Sequence, residues 1–119
     1  MDVAGAVRVY GCNALWRATG ARRAGRALIN ALGAPDEELQ VLAGIFLVRG
    51  ADKAEPLLEE ALAHRKHLSK VITILADIGN PKYKPEFRRL ADDADPAVAD
   101  AARDALRVLE ARQEAPASS

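Results

Sequence analysis

Residues 39–50 read LQVLAGIFLVRG, and this stretch decides the fold. Its large apolar residues precede Gly50 by eleven, eight, five and four positions: Leu39, Leu42, Ile45 and Phe46. These spacings place the four side chains on one stripe of a helix with 3.6 residues per turn. Residues 41–48 are apolar on every side, which is typical of a helix between two layers. The stretch therefore predicts a buried helix that ends at a glycine.

The same pattern occurs once before and once after this stretch. Gly20 and Gly79 lie 30 and 29 residues from Gly50, and each follows the same stripe: Val9, Cys12, Leu15 and Trp16 in one copy, and Leu68, Val71, Ile74 and Leu75 in the other. Eight residues after the three glycines come Leu28, Leu58 and Phe87. A period of this length is typical of stacked helical pairs. Each unit is predicted to contain an outer helix, a glycine in the left-handed conformation and an inner helix.

Prolines mark where the later helices begin. Pro56 and Pro85 are tolerated only in the first turn of a helix, so the inner helices are predicted to start near Glu55 and Lys84, or to bend after a short helical turn. Asp95 and Pro96 then form an N-cap and first-turn pair. The helix that follows repeats the stripe with these residues: Ala99, Ala102, Ala105, Leu106 and Leu109.

Two parts of the chain are less regular. Residues 63–68 contain no helix breaker, so a bend and one longer helix are both open there. Small and polar residues dominate the C-terminal end, QEAPASS, which is typical of a frayed tail. We therefore expect one helical domain over residues 1–111, made of three helical hairpins and a capping helix, and a flexible tail over residues 112–119.

The last helix resembles a known repeat. The segment from Asp95 to Leu106 is similar to the start of a HEAT repeat, close to the bacterial HEAT-like type of phycobilin lyases. It matches at these positions: Asp95, Pro96, Val98, Ala101, Ala102, Ala105 and Leu106. It departs at Ala99, where Arg is usual, and at Glu110, where Gly is usual. The resemblance implies a right-handed, armadillo-like α-solenoid whose inner helices line a concave surface that binds other proteins.

Charge alternates along the chain although its formal net charge is zero. Five arginines oppose one acid in residues 1–32, seven acids oppose two bases in 33–63, seven bases oppose two acids in 64–89, and seven acids oppose three bases in 90–119. Neighbouring units of opposite charge either attract each other or form a patterned docking face. The acidic second block interrupts any continuous basic track, which argues against nucleic acid as the partner. No segment is predicted to cross a membrane.

Catalytic chemistry has little support in the sequence. His64 and His67 have a spacing that can bind a metal, but Arg65 and Lys66 between them oppose a divalent cation. The single cysteine, Cys12, lies on the apolar stripe, which favours a buried core residue. We predict no catalytic, cofactor-binding or metal-binding residues, no cofactor, and a protein that is not an enzyme. A subunit of a HEAT-like lyase or other enzyme complex is the alternative.

The polar face of the inner helices is the predicted contact surface. Tyr83 lies between a loop and a helix, where an exposed aromatic side chain would anchor a partner. The predicted partner-binding residues are Arg22, Arg26, Lys53, Glu60, Tyr83, Lys84, Glu86, Arg88 and Arg89. The sequence thus predicts a cytoplasmic scaffold that binds a protein or peptide partner. The apolar first helix also raises self-association, through an open end of the array.

Overall fold

A computed structural model describes residues 2–114, and it describes only the backbone of the last of these, Glu114. Seven α-helices account for most of the described residues. They are α1 (Val3–Thr19), α2 (Arg22–Ala31), α3 (Glu37–Gly50), α4 (Glu55–Ala63), α5 (Leu68–Ile78), α6 (Lys84–Leu90) and α7 (Pro96–Glu114). Short 3₁₀ turns, Ala51–Lys53 and Pro81–Tyr83, precede α4 and α6. Residues 2–114 contain no strand, so the predicted all-α class is confirmed.

The chain divides into two compact units, Met1–His67 and Leu68–Ser119. In the first unit, α1 packs against α2 and α3, and α2 also packs against α3 and α4. The helices α1 and α3 begin side by side, because the backbone N–H of Asp2 donates to the Asp36 carboxylate at 2.8 Å. The first unit therefore contains two consecutive helical pairs in which first helix contacts first helix and second contacts second.

Polar side chains and prolines set the starts of the helices. The Asp2 carboxylate caps α1 by accepting from the N–H of Gly5, and the Asp36 carboxylate caps α3 by accepting from Glu38. The helices α4 and α6 begin at Glu55 and Lys84, as the prolines predict. A 3₁₀ turn also precedes each of them, so the predicted helix start and the short helical turn of the alternative are both present.

The three repeated glycines serve two different purposes. Gly20 and Gly79 adopt the predicted left-handed conformation, with φ of 73° and 91°. The prediction is wrong for Gly50, which has right-handed helical φ of −69°. A Cβ at Gly50 would lie 2.5 Å from Cη2 of Trp16, so this glycine leaves room for the indole. The positive φ falls instead on Ala51, at 49°.

Most of the predicted stripe is buried. Val9, Leu39 and Leu68 are all in the core, as are Trp16, Phe46 and Leu75, which lie four residues before the glycines. The inner-helix residues Leu28, Leu58 and Phe87 are fully buried. All of these predictions are confirmed.

The stripe position five residues before the glycine is exposed in the first unit. Leu15 and Ile45 are 52% and 43% exposed, whereas Ile74 at the same position is 5% exposed. In the second unit α7 packs along α5, which covers more of the surface of α5. The expectation that residues 41–48 lie between two layers is also wrong, because Val41 on the same face of α3 is exposed.

The junction at residues 63–68 is a turn rather than one longer helix. The helix α4 ends at Ala63, and α5 begins at Leu68. Arg65 and His67 have positive φ of 52° and 48°, a conformation that costs a non-glycine residue of the order of 1–2 kcal/mol. The imidazole of His67 packs against Gly33, where a Cβ would lie 2.1 Å from Cε1 of the ring.

The second unit is built around α7, which packs against α5 and α6. Asp95 caps α7 by accepting from the N–H of Ala97 at 3.0 Å. The core contains the predicted Ala99, Ala102, Ala105 and Leu109, while Leu106 is half-buried. The helix continues to Glu114, and the Arg112 side chain donates to the carbonyl of Asp77. Residues 115–119 of the predicted tail lie outside the described residues.

Candidate binding groove

A bidentate ion pair connects the two inner helices of the first unit. Arg26 on α2 donates from Nε and Nη2 to the two carboxylate oxygens of Glu60 on α4, at 3.0 and 3.1 Å. The hydrogen bonds from Arg26 lower the pKa of Glu60, and the same contact raises the pKa of Arg26. Both side chains remain exposed to solvent, so the pair positions charge more than it stabilises the fold. The paired carboxylate stays ionised at neutral pH.

Open depressions lie on either side of this ion pair. One has a volume of about 190 Å³, and its lining residues are Trp16, Gly20, Arg22, Lys53, Pro56, Leu57 and Glu60. The other has a volume of about 110 Å³, and its lining residues are Arg26, Ile29, Asn30, Leu57, Glu60, Ala61, His64 and Lys66. Because Leu57 and Glu60 border both, the depressions form one surface along α2 and α4, which we call the inner groove.

Apolar side chains form the floor of the inner groove, and basic side chains surround it. Trp16 and Leu57 are buried beneath it. Arg22 and Lys53 lie at one end, and Lys66 lies at the other beside Asn30, to whose amide oxygen it donates. The Lys53 ammonium also donates to the carbonyl of Arg17 at 3.0 Å, which holds it at the edge of the groove. Glu60 is the acidic residue among the lining side chains, and it is paired with Arg26.

Four of the nine predicted contact residues come together here: Arg22, Arg26, Lys53 and Glu60. The spacing that joins Arg26 to Glu60 is 34 residues, which is one repeat plus one helical turn. The residues that form the floor were not predicted as a contact surface, because the pattern places Trp16 in the core and Leu57 on the apolar face of its helix. Pro56 gave a signal for the start of the helix but none for a surface.

The other five predicted contact residues belong to the second unit. Tyr83 is 6% exposed and stacks on Phe87 with ring centroids 6.2 Å apart, so the expectation of an exposed aromatic anchor is wrong. Its ring is buried because it packs against the apolar face of α6. Lys84 donates to the side chain of Gln113, and Glu86 pairs with Arg89 on the same helix. Arg88 is exposed to solvent.

The residues considered for metal or thiol chemistry lie apart from the inner groove or at its edge. His64 and His67 occupy the turn after α4, and no group of three or more metal-ligating side chains occurs within residues 2–114. Cys12 is half-buried, not fully buried as predicted, and it lines a cavity of about 380 Å³ between α1, α2 and the start of α3. Across the described residues no helix is both long and apolar enough to span a bilayer.

Comparison with known proteins adds no relative: no family model, no curated protein and no solved structure matches this chain.

Proposed function

We propose that this protein is a non-catalytic binding module of the HEAT-like type, a short right-handed α-solenoid that holds a protein partner on its inner helices. The partner is an acidic peptide segment that carries an apolar side chain. The single observation that carries this proposal is the inner groove, which has an apolar floor between four basic side chains. The acidic side chain among its lining residues, Glu60, is already paired with Arg26.

Three features support the HEAT-like arrangement. In the first unit, α1 contacts α3 and α2 contacts α4, which is the pattern of neighbouring pairs in a stack of helical repeats. The buried positions recur with the glycine period in all three copies, from Leu28 through Leu58 to Phe87. The Asp95 cap at the start of α7 matches the turn of the repeat that the sequence resembles.

The chemistry of the lining residues supports the choice of partner. Arginine and lysine side chains at both ends of the groove favour carboxylates, and the acidic side chain that lines the groove, Glu60, is already paired with Arg26. The depression of about 190 Å³ beside Trp16 and Leu57 offers an apolar contact for one side chain. Segments bound in this way take affinity from one buried anchor and specificity from the surrounding charges.

Defined synthetic peptides test this proposal. Trp16 is the only tryptophan of the chain, so its fluorescence reports binding at the floor of the groove. We expect an acidic peptide with one leucine to change this fluorescence with a micromolar dissociation constant, and the same peptide with serine for leucine to bind about tenfold more weakly. A basic peptide with the same leucine is expected not to bind.

A matched pair of variants identifies the site. Arg22 and Arg23 are adjacent exposed residues of α2, but only Arg22 is among the residues that line the groove. We expect Arg22→Glu to weaken binding of the acidic peptide at least tenfold and Arg23→Glu to change it less than threefold. Equal effects of the two substitutions would show that the inner groove is not the binding site. A duplex or single-stranded oligonucleotide that binds more tightly than every peptide would replace the peptide with nucleic acid.

A further inference from the structure

The outer face of α1 is apolar from residue 3 to residue 15. Its exposed residues recur at positions 3, 7, 10 and 14, the spacing of one helical face, and Leu15 borders them. Of the two charged residues of α1, Arg17 lies one turn after position 14, at the C-terminal end of this run, and Arg8 lies outside it. A helix in water normally presents charged or polar side chains on this face. The face thus has the composition of a buried surface, although it is exposed.

The apolar face of α1 continues onto α3. Val41 and Ile45 are exposed one turn apart on α3, and the Tyr10 ring packs edge-on against Phe46 with centroids 5.3 Å apart. The residues of this joint surface, 43–74% exposed, are Val3, Val7, Tyr10, Leu15, Val41 and Ile45. We call it the outer face. Contiguous apolar patches on two helices are uncommon on monomers and are typical of interaction sites.

Charges occur at the two ends of the outer face and have opposite signs. Glu37 and Glu38 lie in the first turn of α3, beside the start of α1 to which Asp36 is hydrogen-bonded. Arg17 and Arg49 lie in the last turns of α1 and α3. The outer face is therefore acidic at one end, apolar in the middle and basic at the other end.

This charge pattern identifies the occupant as a second copy of the chain. We propose that two molecules pair through their outer faces, with α1 and α3 of one copy antiparallel to those of the other. A two-fold axis perpendicular to the helices brings the acidic end of each copy against the basic end of its partner. Each charged end then lies opposite charges of the other sign, and the apolar middle of each face covers the other. A parallel arrangement would oppose like charges.

The size of the outer face predicts a weak dimer. The helices α1 and α3, of 17 and 14 residues, are about 25 and 21 Å long and lie about 10 Å apart, so they present roughly 500 Å² per copy. Stable interfaces bury about 800 Å² per partner, and weaker ones bury less. We therefore expect a dissociation constant in the range of about 10–100 μM. The pairing is independent of the inner groove, which lies on α2 and α4.

Sedimentation equilibrium of the intact chain, from about 10 μM to about 1 mM, tests this inference. Val7→Glu places a charge in the apolar middle twice per dimer, and we expect it to raise the dissociation constant at least tenfold. Val108→Glu on α7 is the matched control, because Val108 is also an exposed helical valine, but its helix belongs to the second unit and contributes no residue to the outer face. We expect it to change the constant less than twofold. Wild-type protein that stays monomeric at the highest concentration would overturn the proposal, as would equal effects of the two variants.

Charge reversal tests the antiparallel orientation. We expect Arg17→Glu with Arg49→Glu to weaken the dimer about tenfold, because both ends of the face then carry the same sign. Adding Glu37→Arg and Glu38→Arg reverses both ends and is expected to restore the constant to within threefold of wild type. All four residues are at the surface, and circular dichroism checks that each variant is folded. A fourfold variant that dimerises no better than the double variant would refute the antiparallel pairing.

Discussion

The helices α1 and α7 are alike in the face that they bury, but their solvent-exposed faces differ in polarity. Each is capped at its start by an aspartate, Asp2 or Asp95, and each buries an apolar stripe in its own unit. On the outer side of α7, Asp100 and Asp104 pair with the arginines three positions later. The outer side of α1 is instead the apolar surface that continues onto α3.

This difference shows which part of a helix reports its surroundings. The buried stripe of either helix reports only that the helix packs onto a core. The opposite face of α7 carries ion pairs that suit water, whereas that of α1 carries valines and a tyrosine that suit another protein surface. The cores differ as well: α1 inserts one large ring, Trp16, between Gly25 and Gly50, whereas α7 packs through alanines.

Removal of the large ring should cause the largest change. Trp16→Ala deletes a side chain that is 2% exposed and leaves a cavity between two glycines that cannot fill it. We expect a loss of about 3–5 kcal/mol in the free energy of unfolding, measured by urea denaturation. Leu15→Ala, at the neighbouring exposed position, is expected to cost less than about 1 kcal/mol. Equal costs would mean that Leu15 is as buried as the periodicity predicts.

The two neighbours Leu15 and Trp16 also show how far the sequence predicts the fold. Helix positions, the proline starts and most of the core follow from local chemistry and period, and they were predicted correctly. Periodicity assigns every apolar residue at a helical spacing to the core, but burial depends on which helix lies opposite. Ile74 has α7 packed along its helix, and Leu15 has no such cover, which no pattern within a single repeat reveals.

A methyl group added at Gly50 tests the contact between this glycine and the Trp16 ring. Gly50→Ala would place Cβ 2.5 Å from the indole, and a rigid ring in a filled core cannot move aside easily. We expect a cost of about 2 kcal/mol by urea denaturation. Gly11→Ala is the control, since no atom lies within 4 Å of that Cβ, and it should stabilise α1 by up to about 1 kcal/mol. A neutral Gly50→Ala would show that the indole is not held there.

The converse substitution examines the alanine core of α7. Ala102→Gly removes a fully buried methyl group and lowers helix propensity, so we expect a loss of about 1.5 kcal/mol. Ala111→Gly, at an exposed position of the same helix, loses only the propensity and is expected to cost about 0.5–1 kcal/mol. The difference between the two unfolding free energies isolates the packing contribution. No difference would indicate that α7 is loosely packed at Ala102.

The inner groove was predicted only in part, for a reason that concerns charge and burial together. Charged residues on a predicted inner helix are candidates for a contact surface, and Arg22 and Glu60 were found in that way. The same rule selected Arg89, whose partner is Glu86 on its own helix. Tyr83 was selected as an exposed aromatic anchor, but its ring is buried against Phe87. A sequence shows which residues are charged, but only the packing of α2 against α4 shows which charges share one surface.

The solvent-exposed sides of α1 and α7 should contribute least to the stability of the monomer. Asp100→Ala breaks an exposed ion pair to Arg103 at 3.2 Å and is expected to cost less than about 0.5 kcal/mol, with the cost declining further at high salt. Val7→Ser on α1 is expected to stay within the same limit in dilute solution, where no partner covers it. Urea denaturation at low protein concentration measures both. If neither face supports the fold, selection for stability does not explain the valines of α1, and a surface that covers them does. A large cost for Val7→Ser in the monomer would remove that distinction between the two helices.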